Sequence, residues 1–203
     1  EITTRLVGSE MCIRDSALMI GDSRTVGLKE YGTLGNATFY CDSGLSIYEL
    51  ENKKIMVDGI GKVSISDLLA SHTYHKIYLM LGINELGYDV TQTFEKYASF
   101  VNFLQTMQPD AIIYVEANLH VTAQRSDSDK TFNNANINAF NQKISTLADQ
   151  RTIYYLDINE LFDDANGNLG TQYSNDNAHP LGKYYAVWCD WLMEHAVVRD
   201  GKS

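Results

Sequence analysis

The chain has 203 residues, 44% hydrophobic and 21% charged, enough for one well-cored domain and unlike a disordered, collagenous or disulfide-scaffold protein. Its formal net charge of -10 repels phosphate backbones and anionic headgroups, so neither nucleic acid nor a membrane surface is an expected partner. No apolar run reaches the roughly 20 residues of a membrane span, and Cys12, Cys41 and Cys189 show neither CxxC nor metal-ligand spacing.

Residues 1–16 carry no periodicity and join abruptly to an apolar run. The stretch Val7 to Ser16 resembles a translated sequencing-adapter artefact, so residues 1–16 are kept out of the fold. The competing reading is a native, irregular arm. The domain itself is expected over 17–203.

Ala17-Leu18-Met19-Ile20, closed by Gly21, reads as a buried strand. Directly after it comes Gly21-Asp22-Ser23-Arg24-Thr25-Val26-Gly27. A serine on a strand-to-helix turn is exposed and sits at the positive end of a helix dipole, which suits a nucleophile once a base takes its proton. Gly-Asp-Ser is also a common turn, and Asp22 reads as the residue that orders that turn. Thr38 to Cys41 is the second strand, followed by Gly44, which either brings a backbone N–H close to a ligand or simply shapes the loop. Lys54 to Ile65, with Asp58-Gly59 at its centre, suggests a small hairpin.

Lys76 to Leu81 is the third strand, closed by Gly82 and followed by Ile83-Asn84-Glu85. The Asn84 amide either donates to an oxyanion or caps the next turn. Phe94, Tyr97, Ala98, Val101 and Leu104 fall at helix spacing before Pro109. Ala111 to Val115 is the fourth strand. The polar stretch Thr122 to Thr131 after it is either a substrate loop or a surface connection. Ile137, Phe140, Ile144 and Leu147 mark a helix, Thr152 to Leu156 the fifth strand, and Tyr184, Val187, Trp188, Trp191 and Leu192 the last helix. Before that helix lies Asp176-Asn177-Ala178-His179-Pro180, in which a carboxylate can meet an imidazole three residues on. Pro180 suits the first helical position. Cys41 and Cys189 read as small core residues. His72, His75 and His120 share no metal spacing and read as surface or packing residues. Tyr88, beside the Asn84 loop, is a candidate for stacking on a sugar.

Near-continuous apolar strands alternating with helices predict right-handed βαβ units and a parallel sheet covered on both faces. Ligands then gather at the strands' carboxyl ends, where all four motifs fall. Their joint order resembles the SGNH hydrolase family, also called GDSL esterases and lipases, over about residues 17–195. The matching positions are Ser23 in Gly-Asp-Ser, Gly44, Asn84 in Gly-x-Asn and His179 in Asp-x-x-His. Glu85 stands where many relatives carry Asp, and the Gly-Asp-Ser-Arg-Thr-Val-Gly form resembles a subgroup of Gram-positive gut bacteria.

The resemblance implies an α/β fold: a three-layer α/β/α sandwich with a five-stranded, mainly parallel, flavodoxin-like sheet. It implies Ser23 as nucleophile, His179 as base and Asp176 as the triad acid. The N–H groups of Ser23 and Gly44 and the Asn84 amide would form the oxyanion hole, with no metal or organic cofactor. The expected substrate is a small acyl ester, O-acetyl on a carbohydrate or cell-wall glycan first. A lysophospholipase or thioesterase for longer chains is the enzymatic alternative, and a non-catalytic carbohydrate-binding module the other. An extracytoplasmic, secreted or cell-surface location is expected over the cytoplasm, with no stable membrane insertion. A nucleotide binder is disfavoured because no Gly-rich phosphate loop follows the first strand.

Overall fold

The computed structural model describes residues 17–197. Five strands form the main sheet: β1 (Ala17–Gly21), β2 (Thr38–Cys41), β5 (Lys76–Met80), β6 (Ile112–Glu116) and β7 (Ile153–Leu156), in spatial order β2-β1-β5-β6-β7. Every neighbouring pair is parallel. This is the doubly wound arrangement with a switch point beside β1, where the crossovers turn to opposite faces. The flavodoxin-like expectation holds, and the expected strands match to within a residue or two. Residues 1–16, with the artefact reading and Cys12, lie outside the described residues.

Side chains alternate across β1, β5 and β6 and fill two cores. Leu18, Ile20, Ile77, Leu79, Ile113 and Val115 face one side, against the helices α3 (Val90–Met107) and α5 (Asn134–Ser145). Met19, Tyr78, Met80, Ile112 and Tyr114 face the other, against α1 (Ser23–Tyr31) and α7 (Gly182–Glu194). Full burial of all five residues in each of these three strands explains why they read as unbroken apolar runs.

The hairpin is present as β3 (Ile55–Val57) and β4 (Gly61–Val63), antiparallel around Asp58-Gly59, with Gly59 at φ +74°. The helix α2 (Ile65–Ser71) follows it, capped by Ser64, whose side chain accepts from the Asp67 N–H. Residues 122–131 are not a bare loop: they contain the short helix α4 (Ala123–Ser128). A further short helix, α6 (Asn159–Phe162), follows β7.

Two expectations need correction. Pro180 is not the first residue of α7, because Leu181 is the N-cap and the helix begins at Gly182; the proline fixes the approach instead. Cys189 is buried, but Cys41 is only half-buried, since it lies on the edge strand β2. Among the described residues no helix is long and apolar enough to cross a membrane.

Candidate active site

Strand β1 ends at Gly21, where an added Cβ would lie 2.0 Å from Thr25 Oγ1 and 2.8 Å from the Met80 carbonyl. Only glycine lets the chain turn that tightly. Asp22 then caps α1: its Oδ1 accepts from the Arg24 backbone N–H at 3.0 Å and from Arg24 Nε at 2.9 Å. Both side chains are essentially inaccessible. Asp22 is therefore the turn-ordering residue the sequence suggests, and the sequence reading missed that Arg24 folds back to neutralise it. Ser23 becomes the first residue of α1, where backbone N–H groups have no partner within the helix.

The Ser23 hydroxyl lies 2.9 Å from His179 Nε2, across 156 residues of chain. The opposite ring nitrogen, Nδ1, lies 2.7 Å from Asp176 Oδ2. Asp176 Oδ1 accepts from the backbone N–H of Ala178 at 2.9 Å and of His179 at 2.8 Å, and from Ser174 Oγ at 3.0 Å. Asn177, at φ +69°, supplies the left-handed residue that curls the loop back on the carboxylate. Partial burial pushes the Asp176 pKa up, but the two N–H donors and the imidazole outweigh it and hold the carboxyl well below the usual range. An ionised Asp176 fixes the tautomer with the proton on Nδ1, leaving Nε2 to accept from Ser23.

Gly44 (φ +77°) has open space where a Cβ would stand. Asn84 lies on the 3₁₀ turn Ile83–Glu85. Its Nδ2 donates to the Leu45 carbonyl at 3.0 Å, so one amide hydrogen ties the two loops together and the other remains. A second tie runs from the Ile47 N–H to the Glu85 carboxyl. Glu85 is 2% exposed; burial pushes its pKa up to about 7, against the Ile47 N–H. The Glu85 departure from the family pattern is thus a buried brace between the Gly44 and Asn84 loops.

Ser23, Asn84 and His179 line one cleft of about 290 Å³, walled on its apolar side by Ile83, Leu119, Val121 and Phe132. Arg125 stands over the Phe132 ring at 5.7 Å and pairs with Asp129 at 3.0 Å. The segment 117–122 that carries Leu119 and Val121 is paired by backbone at Ala117, Val121 and Thr122 and by side chains between. The Asn118 N–H donates to Asn141 Oδ1 (2.8 Å) and the Asn118 carbonyl accepts from Asn141 and Asn159 (2.9 and 3.1 Å). Asn134 pairs with both the N–H and the carbonyl of Val121 at 2.8 Å, and that carbonyl also accepts from the Leu169 N–H at 3.1 Å. His120 is buried rather than a surface residue, bridging Asp163 (2.9 Å) and Asn138 (2.8 Å). These asparagines supply pairing past the end of the sheet ladder. Their spacing in sequence follows no motif, so only the fold reveals them. The 122–131 stretch, undecided in sequence, contributes Arg125 directly to the cleft wall, and Phe132 follows it.

Within electrostatic reach of the Asp22–Arg24 pair lies Glu116, 1% exposed, whose pKa burial pushes up to about 8 against the pull of the Arg24 guanidinium. Arg24 also reaches Asn118 Oδ1 at 3.3 Å. Among the described residues no group of three or more His, Cys, Asp or Glu could hold a metal ion.

The family model for GDSL-like lipases and acylhydrolases matches residues 19–187. The chain belongs to that family. It is a hydrolase acting on esters, built on a flavodoxin-like α/β sheet. No curated protein matches it by sequence. Among solved structures, a protein of Streptococcus pneumonia described as a platelet activating factor superposes with a TM-score of 0.70 at 18% identity, covering 95% of this chain and 91% of that one. A GDSL-like lipase of Bacteroides thetaiotaomicron gives 0.66 at 15%, covering 96% and 98%. An acetyl xylan esterase gives 0.64 at 15%, covering 89% and 100%. At such identities the likeness is one of fold.

Proposed function

We propose that this GDSL-family hydrolase is a serine esterase that removes small acyl groups, acetyl first, from carbohydrate or cell-wall glycan. The observation that carries the reading is the continuous relay from the Ser23 hydroxyl through the His179 ring to the Asp176 carboxylate, at 2.9 and 2.7 Å. In the first half-reaction Ser23 Oγ bonds to the ester carbonyl carbon while its proton passes to His179 Nε2. The N–H groups of Ser23 and Gly44 and the free hydrogen of the Asn84 amide receive the oxyanion. His179 then gives the proton to the departing alcohol oxygen as the C–O bond breaks. In the second half-reaction water attacks the acyl carbon as its proton passes to His179, and His179 returns that proton to Ser23 Oγ as the acyl–Oγ bond breaks and the acid leaves.

The acetyl preference draws support from the fold likeness to an acetyl xylan esterase and from the absence of a long apolar flap in the sequence. Glycans of this kind lie outside the cytoplasm, and that is where this reading locates the protein. A second reading, hydrolysis of longer acyl chains, is favoured by one feature: the cleft wall of Ile83, Leu119, Val121 and Phe132 is apolar. Rates on 4-nitrophenyl acetate and octanoate separate the two, and a marked octanoate preference displaces the acetyl reading. Ser23→Ala is expected to abolish cleavage of 4-nitrophenyl acetate with an unaltered circular dichroism spectrum. A folded variant with undiminished turnover removes Ser23 from the mechanism. Labelling of Ser23 by a fluorophosphonate eliminates the non-catalytic binding module.

A further inference from the structure

Six large hydrophobic residues are exposed among those described, and three of them, Tyr48 (36%), Tyr88 (63%) and Val90 (37%), come from the segments that follow Gly44 and Asn84. The Tyr48 and Tyr88 rings meet at 5.2 Å between centroids, tilted by 32°. Each is four residues beyond one of the two oxyanion candidates, so the chain's reach keeps it within about 14 Å of that residue. Their loops are clamped together by Asn84 on Leu45 and by Glu85 on Ile47. The Tyr48 hydroxyl is also held by Thr93 Oγ1 at 3.0 Å, which fixes the ring's direction. A rigid pair of exposed aromatics is costly in water unless something covers it.

Beside the pair is a second cleft of about 320 Å³, with Tyr88, Asp89, Thr93 and Asn136 in its wall; Gly82 and Glu85 line it, whereas Ile83 and Asn84 line the Ser23 cleft. Leu86, Val90, Ala139 and Phe140 make part of its wall apolar, and two of its polar side chains keep a spare acceptor. Asp89 uses Oδ1 to cap α3, accepting from Thr91 and Gln92, which leaves Oδ2. Asn136 spends its Nδ2 on the carbonyls of Lys130 and Thr131, which leaves Oδ1. An aromatic face bordered by spare acceptors fits a ligand that has C–H faces and many hydroxyl donors. A hydrocarbon chain would use the apolar wall but none of the spare acceptors, and a polyanion would meet both Asp89 and the net charge of -10.

We propose that Tyr48 and Tyr88, with the adjoining cleft, form a subsite that stacks a neutral pyranose ring of the substrate's glycan at a distance from the scissile ester. This rests on the esterase reading above and adds the residues that select the carbohydrate. The subsite binds sugar without touching the reacting atoms, so it governs KM for oligosaccharides and leaves small esters alone.

Three enzymes decide it: the wild type, Tyr88→Ala and Tyr48→Ala/Tyr88→Ala, each assayed on acetylated xylo-oligosaccharides and on 4-nitrophenyl acetate. Loss of one stacking ring is expected to raise oligosaccharide KM about tenfold, with kcat and the 4-nitrophenyl acetate kinetics within twofold of wild type. Tyr88→Phe should retain wild-type KM. Titration of unacetylated xylohexaose into Ser23→Ala should give heat that Ser23→Ala/Tyr88→Ala lacks. Unchanged oligosaccharide KM in the double variant overturns the subsite, as does a wild type that cleaves 4-nitrophenyl acetate but no acetylated oligosaccharide. A wild type inert on 4-nitrophenyl acetate and on every acetylated oligosaccharide instead sinks the esterase reading beneath it.

Discussion

Asp176 illustrates how much rests on one side chain. Its Oδ1 organises the loop by accepting two backbone N–H groups, while its Oδ2 holds His179 Nδ1. Asparagine can still accept at Oδ1, but its amide nitrogen cannot accept from Nδ1–H. The expected outcome for Asp176→Asn is a folded protein whose kcat on 4-nitrophenyl acetate falls about 10²–10⁴-fold. Stopped assays of the purified variant check this; a fall below fivefold means the carboxylate is not orienting the base. Ser23, Asn84, Asp176 and His179 were candidates from residue type and order, and the fold brings these four together; Gly44 was a candidate too, and it is not among the residues lining the Ser23 cleft. Arg24 and Glu85 were not legible, because nothing in a sequence announces that a charged residue will be buried against Asp22 or a loop N–H.

At the level of elements, the segment after β6 is the least conventional part of the fold. It runs buried past the end of the sheet ladder, and Asn134, Asn141 and Asn159 supply donors and acceptors between its backbone partners Leu156, Leu169 and Asn177. Asn134→Ala strands the buried Val121 N–H, while the Val121 carbonyl keeps the Leu169 N–H, so the expected cost is about 1–2 kcal/mol. Urea unfolding should show that loss, together with weakened activity, since Val121 walls the Ser23 cleft. A variant within 0.5 kcal/mol of wild type (on the order of ordinary surface substitutions) rules out this pairing as a stabilising feature. The strands and the long helices α3, α5 and α7 were readable because their apolar periodicity is strong. Helix α4 was not, since no residue in it is buried and so no hydrophobic stripe marks it.

For the molecule as a whole, two buried carboxyls set an unusual pH dependence. Glu116 and Glu85 have folded pKa values of about 8 and about 7, against an ordinary value of 4.5. Between those limits the folded state holds protons that the unfolded chain has released. Stability attributable to these groups therefore falls as pH rises from about 4.5 to 8. Asp176 acts oppositely: its depressed pKa contributes stability that disappears only below the usual carboxylate range. Glu116→Gln is expected to match the wild-type melting temperature near pH 5 and exceed it at pH 8.5, with a shallower slope between. Thermal melts across that range test it, and parallel slopes for the two proteins would show that Glu116 stays ionised in the fold.

The order of the five main strands and the three long helices, the right-handed crossovers they require, and the identity of the residues at the strands' carboxyl ends were determined by sequence alone. Those features follow from local periodicity and from chain chirality, which act over a few residues at a time. The tertiary structure alone decided that Ser23 and His179 come within 2.9 Å. It also decided that Tyr48 and Tyr88 meet, and that Glu85, Glu116 and the asparagines are enclosed. Those depend on burial and on contacts between residues far apart in the chain, and desolvation is a property of the packed molecule that no single stretch of sequence encodes.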